Sequence, residues 1–169
     1  MSYVPEGRYC ALKRAGAGNS SWDTLWMSDT PFKRQTNYDI GREASGDVLI
    51  VGLGLGMVAA ALCRKPEVRS VTVLEIEPEV IALVSPHIRH RKLRVLLADG
   101  FRPPLRGRAF DTIYIDIWPN ICSDNWETMK PLLAAYRKLQ RPGGSTTAWM
   151  KEYVQTEHRK AEAEASTWL

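Results

Sequence analysis

The sequence predicts an α/β domain in which an open, doubly wound parallel sheet carries helices on both faces. The chain has 169 residues, enough for one domain with a substantial core. From Asp47 onward, short apolar segments alternate with segments of helical pattern. Nearly continuous apolar runs are typical of parallel strands covered on both faces, and strand–helix alternation implies right-handed crossovers between them.

Five strands are predicted in the sheet, each a short run rich in apolar or β-branched residues that a turn or a helix follows. They cover residues 48–51, 71–76, 93–98, 110–115 and 145–150. Before the last of them, Pro142, Gly143 and Gly144 form a turn that we expect to end the preceding helix. These strands therefore predict a sheet between residues 47 and 150.

Four helices are predicted between and after these strands. They cover residues 56–64, a segment that begins near Pro78, a segment from Ser123 or Pro131 to Gln140, and residues 151–166. Proline suits the first turn of a helix but interrupts its interior, so Pro86 should break or kink the second helix. The last helix is charged and rich in alanine, which predicts a surface position.

Residues 1–46 are predicted to form an N-terminal β-hairpin extension ahead of a main domain at 47–169. Strand-like residues 8–14 and 23–28 flank a turn-rich segment at 16–20. Residues 26–32, which include Asp29, either reach over the functional site or only link the hairpin to the sheet. The six tryptophans suggest that a second subunit covers some apolar surface. We therefore expect that the protein can form a homo-oligomer through contacts of the hairpin.

Composition excludes several other classes of protein. The longest apolar run, residues 48–62, is interrupted by glycines and is shorter than the roughly 18–20 residues of a membrane span. Cys10, Cys63 and Cys122 are far apart and odd in number, which fits neither a disulfide framework nor a cysteine zinc site. We therefore expect a cytoplasmic protein without a metal site.

The strongest local signal is the alternation of Gly52, Gly54 and Gly56 between the first strand and the first helix. Glycine permits a tight turn and close approach of a ligand, and the N-terminus of a helix offers free N–H groups to an anion. Glu75 ends the second strand, where an acidic residue accepts hydrogen bonds from ribose hydroxyls in doubly wound sheets. Proteins that bind NAD and proteins that bind S-adenosylmethionine (SAM) share this arrangement, so both cofactors remain open here.

The later strand ends favour SAM over NAD. Asp99 follows the third strand, where its carboxylate could accept a hydrogen bond from an adenine amino group. Asp116 ends the fourth strand and precedes Trp118, which could form a wall of the site. An NAD enzyme would also need a second half-sheet or a substrate domain, for which little chain remains after residue 150.

Residues 48–150 resemble the class I SAM-dependent methyltransferases and, within that superfamily, most resemble spermidine synthases. The motifs VLIVGLGLG, VTVLEIEPEVI, ADGF and FDTIYIDIWP occur in the family's order, and LQRPGG is similar to the turn before strand five in many methyltransferases. The resemblance implies a Rossmann-like fold of the methyltransferase type. Its C-terminal end is expected to be shortened, without the usual sixth and seventh strands.

The resemblance also implies roles for individual residues. Glu75 would hold the ribose, Asp99 would meet the adenine amino group, and Asp116 would lie beside the sulfonium and the nucleophile as the catalytic residue. The implied cofactor-binding residues are Gly52, Leu53, Gly54, Gly56, Glu75, Ile76, Asp99, Gly100, Phe101 and Asp116. The implied cofactor is therefore SAM, with decarboxylated SAM as the alternative.

Three positions depart from the related patterns. Ile50 stands where many methyltransferases carry an acid, and Leu55 and Pro119 stand where spermidine synthases carry aspartates. The missing carboxylate at 119 disfavours binding of a diamine. The leading function is methyl transfer from SAM to an unidentified small-molecule acceptor rather than to nucleic acid. The alternatives are a polyamine aminopropyltransferase and a non-catalytic SAM-binding or partner protein.

Overall fold

The computed structural model of the protein describes residues 5–14 and 24–167, so the predicted turn at 16–20 and Asp23 lie outside the described residues. The strands are β1 (Ala11–Arg14), β2 (Thr24–Ser28), β3 (Gly46–Val51), β4 (Val68–Glu75), β5 (Leu93–Leu97), β6 (Phe110–Ile115) and β7 (Gln140–Ala148). The helices are α1 (Pro31–Thr36), α2 (Tyr38–Glu43), α3 (Met57–Arg64), α4 (Pro78–Val84), α5 (Asn125–Arg137) and α6 (Lys151–Thr167).

The main sheet has five parallel strands in the order β5-β4-β3-β6-β7. Strands β1 and β2 form a separate antiparallel pair. The order reverses at β3, the first strand of the sheet, so that β4 and β6 leave it on opposite sides. The predicted α/β class, with a doubly wound sheet and an N-terminal hairpin, is confirmed.

Strand β3 shows why the sheet is buried on both faces. Val48 and Ile50 contribute to one apolar core, which α2, α3 and α4 cover. Leu49 and Val51 contribute to the opposite core, which includes residues of α5 and α6. Successive side chains of a strand point to opposite faces, so an uninterrupted apolar run fills both cores.

The helix ends largely follow the proline signals of the sequence. Helix α4 begins at Pro78 and ends at Val84, and a 3-10 helix at Ser85–His87 contains Pro86. The third predicted helix is α5, which begins at Asn125 and keeps Pro131 inside it. The surface helix predicted at the C-terminal end is α6, most of whose described side chains are exposed. No helix in the described part of the chain is long and apolar enough to cross a membrane.

Two features differ from the sequence prediction. Helices α1 and α2 occupy residues that were assigned to the hairpin extension and its link to the sheet. Strand β7 begins at Gln140 and therefore includes Pro142 and both glycines that were predicted to form a turn. Its pairing with β6 shifts register between Phe110 and Thr112, and β7 lies at the sheet edge, where proline and an irregular ladder are tolerated.

An ion-pair network ties β3, β4, β6 and β7 together at the end of the sheet that is opposite to the glycine turn. Arg69 and Arg141 both donate to the carboxylates of Asp47 and Asp111, at 2.6–2.9 Å. Partial burial raises the pKa of Asp47, but hydrogen bonds from Arg69, Arg141 and Ser70 outweigh it and lower that pKa to about 2. The network therefore stabilises the fold through the ionised form of Asp47.

We expect the network to make stability depend on pH in the acid range. The folded-state pKa of Asp47 lies below its ordinary value of 3.8, so its contribution is complete above pH 4 and is lost as the pH falls toward 2. Urea unfolding measured between pH 2 and pH 7 should show a shallower acid decline for Asp47→Asn than for the wild type. Asp39→Asn, at an exposed position, is the control. Equal declines in wild type and Asp47→Asn would contradict the role of the network.

Candidate cofactor and active site

A cavity of about 340 Å³ opens at the carboxyl ends of the strands, where ligands bind in doubly wound sheets. Eight of the predicted site residues line it: Gly52, Gly54, Glu75, Ile76, Asp99, Gly100, Phe101 and Asp116. Leu53 and Gly56 do not line this cavity. The hairpin residues Leu12, Trp26 and Met27 also line it. Residues far apart in the sequence therefore converge on one site.

The glycine turn brings the end of β3 against the end of β6. Gly52 has a φ of 98°, and a Cβ at this position would collide with the backbone carbonyl oxygen of Asp116. Glycine is thus required by conformation and by space. Gly56 has a different role, because it precedes α3 and packs closely against Val84 and Ile88.

Glu75 holds the backbone around the cavity through its carboxylate. Its Oε2 accepts a hydrogen bond from the N–H of Leu53 at 2.8 Å. Its Oε1 accepts from the N–H groups of Ile76 and Glu77 at 2.8 and 3.0 Å. A carboxylate offers roughly four acceptor positions, so Glu75 can accept a further donor such as a ribose hydroxyl. Leu53 therefore contributes to the site only indirectly, because its backbone N–H binds the carboxylate of Glu75.

Beside Glu75, the cavity is lined by a carboxylate and by apolar side chains, which are the groups that an adenine ring requires. Oδ1 of Asp99 accepts the N–H of Phe101 at 2.8 Å, which fixes the carboxylate while Oδ2 has no partner among the described residues. Ile76 and Phe101 are 58% and 55% exposed although both line the cavity. An adenine ring placed here would cover apolar side chains and donate its amino group to Asp99. The residues present therefore fit the adenosine part of SAM.

Asp116 lies at the other end of the cavity in a buried ion pair with Lys33. The Lys33 ammonium group is 3.1 Å from each carboxylate oxygen, and both side chains are 11% exposed. The same ammonium lies 3.3 Å from the centroid of the Trp149 ring. Burial raises the pKa of Asp116 and lowers that of Lys33, while their mutual attraction opposes both shifts.

Lys33 is a site residue that the sequence interpretation missed. It lies in α1 and lines the cavity. The signal that could have predicted this helix is Pro31, which occupies the first turn of α1, where proline is favoured. No sequence signal pairs Lys33 with Asp116, because the two are 83 residues apart.

The hairpin residues contact the glycine turn directly. The Sδ atom of Met27 accepts the N–H of Leu55 at 3.2 Å, and a Cβ on Gly54 would collide with this sulfur. Trp26 and Met27 of segment 26–32 therefore lie at the site, whereas residues 28–32 do not line the cavity. Asp29 does not line the cavity, because its carboxylate binds the N–H of Cys10 and the side chain of Arg34.

Trp118 lines the cavity as the sequence suggested, and its indole N–H donates to the hydroxyl of Thr128 at 3.0 Å. Within residues 5–14 and 24–167, no three histidine, cysteine, aspartate or glutamate side chains lie close enough to hold a metal ion. The residues that directly follow Asp116, namely Ile117, Trp118 and Pro119, also line the cavity and carry no charge.

The fold is that of the class I SAM-dependent methyltransferases. A family described as a methyltransferase domain matches residues 49–148 of the sequence. The chain therefore belongs to this methyltransferase-domain family. The comparisons do not confirm the narrower resemblance to spermidine synthases, and a search of curated protein sequences finds no match.

Solved structures show the same fold at low sequence identity. The N-methyltransferase NodS from Bradyrhizobium japonicum WM9 is 20% identical, with a TM-score of 0.54 over 69% of this chain and 66% of that chain. A NodS complex with S-adenosyl-L-homocysteine (SAH) is 19% identical, with a TM-score of 0.53 over 69% and 60%. The CcbJ methyltransferase from Streptomyces caelestis is 18% identical, with a TM-score of 0.52 over 69% and 47%. The chain thus spans roughly half to two thirds of the length of these proteins.

Proposed function

We propose that this protein transfers a methyl group from SAM to a small-molecule acceptor. SAM is the cofactor that the methyltransferase domain indicates, as the sequence predicted. The observation that carries the proposal is the single cavity lined by the glycine turn, Glu75, Asp99 and Asp116. The presence of the hairpin residues Leu12, Trp26 and Met27 in its lining favours a small molecule as acceptor.

The chain's own residues divide this cavity into two chemical regions. Glu75 and Asp99 supply acceptors for the ribose hydroxyls and the adenine amino group, and Ile76 and Phe101 supply apolar contact for the adenine ring. Asp116 and Trp118 lie at the region assigned to the reacting groups. SAM, when bound, supplies a methyl group activated by a sulfonium.

Asp116 is the residue that we assign to proton transfer. Methyl transfer is an in-line displacement, so much of the catalysis comes from positioning the acceptor. Burial makes the carboxylate of Asp116 a stronger base than an exposed one, and Lys33 fixes its orientation. A base in this position would remove the acceptor's proton.

A second candidate function is SAM binding without methyl transfer. It is favoured by the fact that both oxygens of Asp116 already contact Lys33. The two functions differ in turnover: a transferase converts SAM to SAH when small-molecule extracts are added, whereas a binding protein retains SAM unchanged. Aminopropyl transfer from decarboxylated SAM has no support from the comparisons.

Calorimetric titration with SAM, decarboxylated SAM and NAD tests the proposed cofactor. We expect SAM to bind most tightly, and Asp99→Asn to weaken binding by about tenfold or more because a charge-assisted hydrogen bond to adenine is lost. Asp124→Asn, at an exposed position outside the cavity, is the matched control. Absence of SAM binding would contradict the proposal, and preference for decarboxylated SAM would favour aminopropyl transfer instead.

A further inference from the structure

Lys33 occupies a place that is built to bind a cation. Its ammonium group lies between the carboxylate of Asp116, at 3.1 Å from both oxygens, and the ring of Trp149, at 3.3 Å from the centroid. A carboxylate combined with an aromatic face is the chemistry that recognises ammonium groups. The protein therefore fills this ammonium site with its own side chain.

Helix α1 is anchored so that Lys33 stays in this place. The backbone oxygen of Lys33 accepts hydrogen bonds from the side chains of Thr36 and Asn37, at 3.1 and 2.9 Å. Thr36 in turn accepts from the indole N–H of Trp149 at 3.0 Å, and Asn37 accepts from the hydroxyl of Tyr114 at 2.5 Å. These bonds tie α1 to β6 and to the residue that follows β7.

The ion pair decides which charge the acceptor end of the cavity can accommodate. Asp116 is the carboxylate at this end, and Lys33 neutralises it. The lining residues that directly follow Asp116 in the sequence are Ile117, Trp118 and Pro119, which carry no charge. The other lining carboxylates, Glu75, Glu77 and Asp99, lie at or just after the ends of β4 and β5. A cationic acceptor placed beside Asp116 would meet the Lys33 ammonium at close range, and this carboxylate is already paired and cannot compensate for the cation's lost hydration.

We propose that Lys33 is a specificity-determining residue that excludes cationic acceptors, so that the acceptor is uncharged or anionic at its reacting end. This inference rests on the proposed function. It predicts that removing the lysine ammonium opens the site formed by Asp116 and Trp149 to an external ammonium. It also gives a physical reason why a diamine would not be accepted.

The probe pair is n-butylammonium and n-butanol, which differ in charge but little in shape. Binding is followed in the SAH-saturated protein by nitrogen-15 NMR of the Trp149 indole N–H. For the wild type we expect no saturable shift with n-butylammonium. For Lys33→Met and for Lys33→Gln we expect a saturable shift with n-butylammonium. The affinity of each variant for this cation should be at least about tenfold higher than that of the wild type. The double variant Lys33→Met/Asp116→Asn should lose this gain.

Lys130→Met, which removes an exposed helical lysine, is the matched control and should behave as the wild type. The response to n-butanol should be the same in all variants. Saturable binding of n-butylammonium to the wild type would overturn the proposal, and this arm requires no folded variant. Failure of both folded Lys33 variants to gain binding would also overturn it.

The test of Lys33 can fail independently of the test of the proposed function. Calorimetry reports SAM binding by the same wild-type protein, without any acceptor. If SAM binds but the Lys33 variants gain no ammonium affinity, the specificity inference alone is wrong. The opposite result is that SAM does not bind but the variants gain affinity for n-butylammonium when SAH is omitted. That result would support the cation site and contradict the methyltransferase function.

Discussion

Replacement of Asp116 by asparagine is expected to lower methyl transfer by about 10²–10⁴-fold, the usual contribution of a positioned general base. An amide cannot take a proton from the acceptor, whereas it occupies nearly the same volume as the carboxylate. Most of the affinity for SAM should remain, because Glu75 and Asp99 hold the adenosine part. The measurement combines the rate of SAH formation in extracts that support wild-type turnover with calorimetry of SAM binding.

The same substitution should also lower stability, because it leaves the Lys33 ammonium buried beside a neutral amide. Breaking a fully buried pair costs about 3–5 kcal/mol, and we expect the lower end because both side chains are 11% exposed. Lys33→Met/Asp116→Asn should recover part of this loss. Asp39→Asn, at an exposed helical position, is the control for both measurements. Undiminished SAH formation by a folded Asp116→Asn protein would disprove the assigned role.

The strands that form the site could be predicted because their signals are local. Strand β6 spans the predicted residues, and the apolar run that became β3 is followed directly by the glycine turn. Because parallel strands place their carboxyl ends at one edge, Glu75, Asp99 and Asp116 were expected to converge, and all three line one cavity. Their assigned roles stay predictions until the variants are measured.

The remaining features could not be predicted because they depend on tertiary contacts. The six residues of α1 make no amphipathic pattern long enough to recognise, and the position of Lys33 depends on Asp116 and Trp149. The early start of β7 depends on its place at the sheet edge, where a strand can include Pro142. In the sequence alone, a proline followed by two glycines indicates a turn.

Glu75→Gln is expected to cause the largest loss of SAM binding, by about 100-fold or more. The carboxylate accepts three backbone N–H groups in addition to its proposed ribose contact. An amide has only one oxygen, so its NH₂ group must face N–H donors on the side of Leu53 or on the side of Ile76 and Glu77. The glycine turn and the end of β4 would then separate.

Glu75→Gln should lower the stability of the fold as well as the affinity for SAM, because hydrogen bonds to a charged group contribute about 1.5–3 kcal/mol each. We expect Glu75→Gln to lower the free energy of unfolding by about 3 kcal/mol in urea. Glu67→Gln, in the exposed turn before β4, is the matched control and should change neither quantity. The two effects of Glu75 can be separated by SAM titration under conditions where the variant stays folded. If the folded variant binds SAM as tightly as the wild type, Glu75 only supports the backbone, and the ribose contact must be assigned to another residue of the cavity.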